Sequence, residues 1–416
     1  MNHVSRKPGT GVPGAGGAPE RALLGTLPET IRADLIAFRR DLHMHPELGY
    51  REFRTTEALK SRLECAGLIP RVLDCGTGLI CDIGEWDNAR SILALRADLD
   101  ALPIADTKTG VPYSSTVLDR AHACGHDVHT TVVLGAGLVL AKLYERGQLA
   151  HPVRMIFQPA EEVLPGGANE AITSGALDGV GRIVAVHCDP RVDVGRIGLR
   201  HGAITSACDR LEVTLGGVGG HTARPHLTTD LVTAAAKLAS EVPALIARRI
   251  DPRSGLSLTW GRIASGHTSN VIPQRAELSG TVRCLDLASW REAPALVRGA
   301  VTQVADLYRA ESNINYVRGV PPVVNDPDVT DLLRGAMTAR RGPQSIEQTE
   351  QSLGGEDFSW YLEKVPGAMA RLGVRTPGHL AIRDLHRGDF DVDESAITVG
   401  VELLTATALL DSQNRA

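Results

Sequence analysis

Apolar and polar positions along this chain switch between two periods, and the switches mark its elements. From Pro28 to Leu42 the apolar residues Ile31, Leu35 and Ile36 recur at helical spacing, and a second helix is expected from about Thr55 to Ala66. Ile92 to Ala97 is apolar enough for a buried strand and ends in Asp98-Leu-Asp100. A helix is predicted to open near Asp127 and run to about Tyr144, and Val153 to Gln158 and Ile183 to His187 read as further strands. Both of those strands end on polar residues, Glu161 and Glu162 just beyond the first and His187 on the second. Strands alternating with helices imply an α/β sheet, and ligands in such sheets sit beyond the carboxyl ends of the strands. Several chemically loaded segments would then meet at one edge.

The pattern changes near Thr205. Leu211 to Leu215 alternates as a strand, Thr228 to Arg249 is a long amphipathic helix, Leu256 to Ile263 and Ala276 to Cys284 are strands, and Ala288 to Ala310 is another helix. This βαββα run reads as a compact α+β unit inserted in the first. After Val323 the α/β pattern resumes, with a helix from Pro327, a strand from Met369 to Val374 and a last helix from about Glu394 to Leu410. The expected division is a leader at 1–20, a first part of the main domain at 21–204, the insert at 205–322 and the second part at 323–416. The Gly, Pro and Ala-rich leader has too little apolar surface to order itself and lacks the apolar core of a signal peptide. No run of 18 apolar residues occurs, so no membrane span is expected.

Composition adds limits. A chain of 416 residues exceeds what one hydrophobic core usually serves, in keeping with two domains. With 44 basic against 49 acidic residues there is no basic field to hold nucleic acid. Seven cysteines, an odd number without framework spacing, suit a reducing compartment, and a cytoplasmic location is expected.

The chemistry concentrates in His122-Ala-Cys124-Gly-His126-Asp127-Val-His129, followed by Gln158-Pro-Ala-Glu161-Glu162. A borderline-soft divalent cation takes thiolate, imidazole and carboxylate together, and a spare carboxylate beside the ligands is placed to act as a base on water. A metal-dependent hydrolase is the expectation. Ordinary explanations take the other candidates: Cys188, Cys208 and Cys284 read as small buried hydrophobes, His122 and His129 as supporting residues, and His43 and His45 as packing or hydrogen-bonding residues.

Nine motifs in order support a family resemblance: Asp41-Leu-His-Met-His-Pro-Glu47, Leu95-Arg-Ala-Asp98-Leu-Asp100-Ala-Leu-Pro103, His122 to Asp127, Phe157-Gln-Pro-Ala-Glu-Glu162, Gly219-Gly-His221 with Pro225-His226, Asn270-Val-Ile-Pro273, Gly280-Thr-Val-Arg283, Gly355-Glu-Asp-Phe358, and Leu385-His386 followed by Phe390. Over about residues 30 to 411 the chain resembles the metal-dependent amidohydrolases related to aminoacylase, in their hippurate hydrolase and indole-acetyl-amino-acid hydrolase branch. The resemblance implies a mixed-sheet α/β catalytic domain holding two divalent ions, with the insert as a lid and dimerisation domain. It implies Cys124, His126, Glu162, His187 and His386 as metal ligands, Cys124 bridging, and Glu161 as general base. Asp100 would orient a ligand imidazole. His221, often contributed by a neighbouring subunit, would polarise the scissile carbonyl with Asn270 as a second donor. Arg283 is a candidate for a substrate carboxylate, and Gly354 and Gly355 for the wall of the amino-acid pocket.

The implied reaction is cleavage of the amide of an N-acyl amino acid by a homodimer or homotetramer, with Zn, Mn, Co or Ni as the metal. A dipeptidase or aminopeptidase remains open as an alternative, and a silent acyl-conjugate binder as a remote one. Ala121, where relatives often carry Met, the preceding Val117-Leu-Asp-Arg120, and Val218, often Lys in relatives, depart from the branch pattern. These departures bear on the substrate, since none is a proposed ligand.

Overall fold

The computed structural model describes residues 27–85, 91–379 and 381–415, so the expected leader lies outside the described residues. The main unit opens with α1 (Glu29–Met44) and α2 (Phe53–Cys65), followed by β1 (Arg71–Val72), β2 (Leu79–Ile83), β3 (Ile92–Asp98), α3 (His126–Glu145), β4 (Val153–Gln158), a short α4 (Ala168–Thr173), β5 (Val180–Asp193), β6 (Ile197–Leu199) and β7 (Gly202–Ala203). The insert comprises β8 (Ala207–Gly216), β9 (Gly220–His221), α5 (Leu231–Ala247), β10 (Ser257–Ser265), β11 (Val271–Ile272), β12 (Arg275–Cys284), α6 (Leu287–Leu307) and β13 (Glu311–Val320). The chain then returns through β14 (Val324–Asn325), α7 (Pro327–Arg341), β15 (Ile346–Gln348), a one-turn α8 (Ser359–Leu362), β16 (Gly367–Arg375) and α9 (Ser395–Arg415).

The main sheet has the order β1-β2-β4-β3-β5-β16-β6-β15 and is mixed. Its centre is parallel, β4, β3, β5 and β16 running side by side, while β2 against β4 and β6 against β16 are antiparallel. Every residue of β3 and β4 is buried, as expected for strands covered on both faces. One face carries the larger core, with Leu35, Leu42, Val132, Leu134, Val401 and Leu404 from α1, α3 and α9, and the other a smaller one around Ile80, Ala94, Ile156, Phe358 and Tyr361. Helix α9 is long and apolar enough to cross a membrane, but 72% of that stretch is buried against the protein, and it packs on α3 and α7 as a core helix.

The insert has its own antiparallel sheet, β10-β12-β8-β13, with α5 and α6 packed on one face. Alternate residues of β8, Leu211, Val213 and Leu215 among them, enter its core with Leu238, Val242, Val297 and Val301. The expected βαββα run lacks the last strand, β13: the order is βαββαβ. Its sequence, ESNINYVRGV, is mostly polar because it is an edge strand, paired on one side only, and four of its first five residues are hydrophilic. The helix expected from Thr228 begins at Leu231, where the Asp230 carboxylate caps it by accepting from the Thr233 amide.

Candidate metal centre

The site is built at the carboxyl ends of β3 and β4 and on β5. Gly125, in the left-handed region at φ 86°, turns the chain from Cys124 into α3; a Cβ there would lie 2.7 Å from Cys188 Sγ. His126 is therefore the first residue of the helix, and Cys124 lies just ahead of it. Asp127, in the first turn, anchors the helix mouth by accepting from Arg39 Nε and pairing with His43 Nδ1, both at 2.7 Å. Beyond β4, Ala160 at φ 55° bends the chain so that the Glu161 and Glu162 amides both donate to Asp100, at 2.9 Å each. Asp100 thus clamps the glutamate turn. Its Oδ1 also lies 3.3 Å from His126 Nδ1, so the carboxylate that holds the turn stands against the ring of a candidate ligand as well.

His187 stands within β5, six residues before its end, since pairing with β16 continues past it. Its Nδ1 donates to the Cys188 carbonyl at 2.8 Å, which leaves Nε2 with a lone pair 3.6 Å from Cys124 Sγ. His386, at φ 62°, is tied by its amide to the Ala123 carbonyl at 2.8 Å and brings Nε2 to 3.2 Å from Glu162 Oε1. Donor atoms converge in two main groups, Cys124 with His126 and His187, and Cys124 with Glu162 and His386. Cys124 belongs to both.

His126 Nε2 has no hydrogen bond and faces Asp98 Oδ2, Glu161 Oε2 and Glu162 Oε1 at 3.8, 3.9 and 3.9 Å. Donors sharing a tetrahedral cation at ~2.1 Å stand ~3.4 Å apart, so these separations suit a shared cation better than direct hydrogen bonds. Glu162 Oε1 is likewise buried without a hydrogen bond. Burial opposes a charge on His126, yet Asp98, followed by Asp100 and Glu162, lifts its pKa to about 10. The pocket thus attracts positive charge, a proton or a metal ion, and the residues fit a divalent cation.

His129 is not a free donor. Its Nδ1 donates to Asp98 at 2.7 Å and its Nε2 accepts the Cys188 amide at 2.8 Å. His122, fully buried, belongs to none of the donor groups, and burial lowers its pKa to about 3. Burial, then Glu356 and Glu162, raises the Glu161 pKa well above the usual carboxylate range, whereas Glu162 is lowered: burial is outweighed by His386 and His126.

A charge network under the site escaped the sequence reading. Arg96, fully buried on β3, donates to Gln158 at 2.9 Å and to Asp98 and Asp357 at 2.7 Å, and pairs with Glu356 at 3.1 Å. Burial disfavours ionised Asp98, but His126, His129 and Arg96 hold its pKa well below the ordinary value. The available signal was an Arg and an Asp inside an apolar strand, since buried charges need partners.

A cavity of about 420 Å³ opens on the donors, lined by Cys124, Glu161, Glu162, His187 and His386, by Arg283 and Arg371, and by Gly354 and Gly355. Arg283 also donates to the Leu353 carbonyl. His221 and Asn270 are not brought to this cavity within one chain. They lie side by side on the insert, exposed, where β9 pairs with β11.

The chain matches peptidase family M20/M25/M40 over residues 94–410. It is 48% identical to a putative glutamate–cysteine ligase of Rhodococcus jostii over 91% of its own length, and spans 47% of that longer relative. It is 37% identical to the N-acetyl-L-cysteine deacetylase of Bacillus subtilis, covering 92% of this chain and 90% of that one. A solved Bacillus subtilis structure, described as a dinuclear metal binding peptidase from the M20 family, superposes with a TM-score of 0.80 at 32% identity, covering 93% of this chain and 99% of the other. With its mixed α/β sheet and its buried thiol, imidazole and carboxylate donors, the chain belongs to peptidase family M20/M25/M40.

Proposed function

We propose that this protein hydrolyses the amide bond of N-acyl amino acids, releasing a carboxylic acid and an amino acid, with two divalent cations held by Cys124, His126, Glu162, His187 and His386. The observation that carries this reading is the pair of donor groups sharing Cys124, with Glu161 beside them. The deacetylase and dinuclear relatives support it. Bound cations supply Lewis acidity at the carbonyl oxygen and make nearby water a better nucleophile at neutral pH. A thiolate with imidazoles suits zinc, and the same donors accept Mn, Co or Ni.

Glu161 is the general base in this reading. It takes a proton from the attacking water and returns it to the leaving nitrogen. Asp100 fixes the turn that keeps Glu161 and Glu162 in separate roles.

His221 and Asn270 serve as oxyanion donors brought in by lid closure or by a second subunit. The Ala223 amide donates to His221 Nδ1 at 3.0 Å, so the ring proton sits on Nε2, where it can donate to an oxyanion. Val218, Leu227, Val232, Ile263 and Val271 are exposed on the same insert, which supports dimerisation through it. The seven free cysteines suit a cytoplasmic location.

The test is amine release from N-acyl amino acids, N-carbamoyl amino acids and dipeptides, read by mass spectrometry before and after chelation and metal add-back. Chelator-sensitive cleavage of acyl amino acids is expected. Cleavage confined to free-amine dipeptides would move the protein to a peptidase reading, and metal-independent cleavage would contradict the mechanism.

A further inference from the structure

Four arginines are buried among the described residues, Arg39, Arg96, Arg154 and Arg371. Three are held by carboxylates: Arg39 by Asp127 at 2.7 Å, Arg96 by Asp98 at 2.7 Å and Arg154 by Asp82 at 2.6 Å. Arg371 is 6% exposed, and among the described residues nothing forms a hydrogen bond or ion pair with its guanidinium. Desolvating a charge without a partner costs several kcal/mol, so an anion is the natural complement.

The strand register shows where that charge stands. On β16, Arg371 is in register with the candidate ligand His187 on one side and with Gly198 on the other. A Cβ on Gly198 would meet the Arg371 Cβ at 3.2 Å, so the glycine leaves room beside the arginine. Arg371 lines both the cavity that opens on the donors and a neighbouring one of about 610 Å³, and the two cavities share Ser352, Arg371 and Leu385. Burial, with Asp189 and Glu356 only partly offsetting it, pulls the guanidinium below its usual range, in keeping with an unpaired charge.

We propose that Arg371, rather than the more exposed Arg283, which already donates to the Leu353 carbonyl, is the receptor for the carboxylate on the amino-acid side of the substrate, gripping it as a planar fork while the amide lies over the donors. The proposal rests on the N-acyl amino acid reading above and adds a specificity residue to it. A substrate without that carboxylate would leave the guanidinium buried and unpaired.

The test compares N-acetyl-L-methionine with its carboxamide. In wild-type protein kcat/KM should favour the acid, and Arg371→Gln should lower the acid-to-amide ratio about 30-fold or more, mostly through KM, as expected for truncating one side of a buried charge pair. The same collapse should appear in Kd values measured by calorimetry in the Glu161→Gln background. An unchanged ratio in either assay overturns the proposal, as does a variant whose altered response is confined to inhibition by acetate, which would assign Arg371 to the acyl product. Should Arg371→Gln fail to fold, Arg371→Lys reads the same ratio and should lower it about tenfold, the loss of one bidentate contact. If wild-type protein neither cleaves nor binds either compound, the proposed reaction falls while Arg371 is judged separately. Thermal stabilisation by saturating L-methionine, the amino-acid product, that exceeds that by its carboxamide and is lost in Arg371→Gln sustains the receptor, and equal stabilisation of both proteins overturns it.

Discussion

Replacing Asp100 by alanine removes the clamp on the glutamate turn. Both carboxylate oxygens accept backbone amides, from Glu161 and Glu162 at 2.9 Å each, and the side chain is buried. Hydrogen bonds to a charged acceptor contribute about 1.5–3 kcal/mol each, and alanine would leave two amides without their acceptor. Part of this is offset, because the Asp100 charge repels Glu161 and Glu52 and raises the pKa of both. A net loss of about 2–4 kcal/mol remains after that offset. Since the turn aims Glu162, metal affinity should fall about 10–100-fold, the usual effect of losing a residue that orients ligands. Asp100→Asn, which keeps one acceptor, should lose less on both counts. Calorimetric melting of the metal-stripped protein reads the stability term, and competition with a chromophoric chelator reads the affinity. Wild-type melting and wild-type affinity in Asp100→Ala would refute the clamp.

Glu161→Gln should lower kcat about 10²–10⁴-fold with metal content unchanged, checked by kinetics beside elemental analysis; near-wild-type turnover would remove Glu161 as the base. Arg96→Met should destabilise the fold by about 3–5 kcal/mol, because Asp98, Glu356 and Asp357 lose their shared cation, and denaturant titration measures it. Burial first, then Asp100, raises the Glu52 pKa from 4.5 to about 7. The folded state then binds this proton more tightly than the unfolded chain, so its contribution is present below pH 4.5 and about 3 kcal/mol is lost as pH rises through 7. Glu52→Gln, which still accepts the Ala160 amide, should remove that slope in unfolding measured across the window, and an unaltered slope would count against it. His221→Ala should slow catalysis with the metal site intact, and mixed heterodimers with Glu161→Gln should regain part of the rate if His221 acts across subunits.

The parts of the site that could be read in advance are those carried by short segments. Cys124, Gly125 and His126 sit together because one turn makes them neighbours, and Glu161 and Glu162 are adjacent in the chain. Long-range pairing was harder to see. Arg96 and Asp357 are 261 residues apart, and only the fold brings them within 2.7 Å. Strand β13 leaves little trace in the sequence because an edge strand needs little apolar surface, and the polar residues after His187 hide the continued pairing of β5 with β16. Arg371 carries a visible signal, a charge flanked on both sides by apolar residues in GAMARLGV, but its lack of a partner is a property of the folded chain.

In the proposed mechanism Cys124 joins two cation sites. Metal content per chain, measured by mass spectrometry after dialysis against buffered zinc or manganese, should be two in wild-type protein and at most one in Cys124→Ala, provided the variant melts cooperatively. Two bound ions in Cys124→Ala, or none in the wild type, would contradict it.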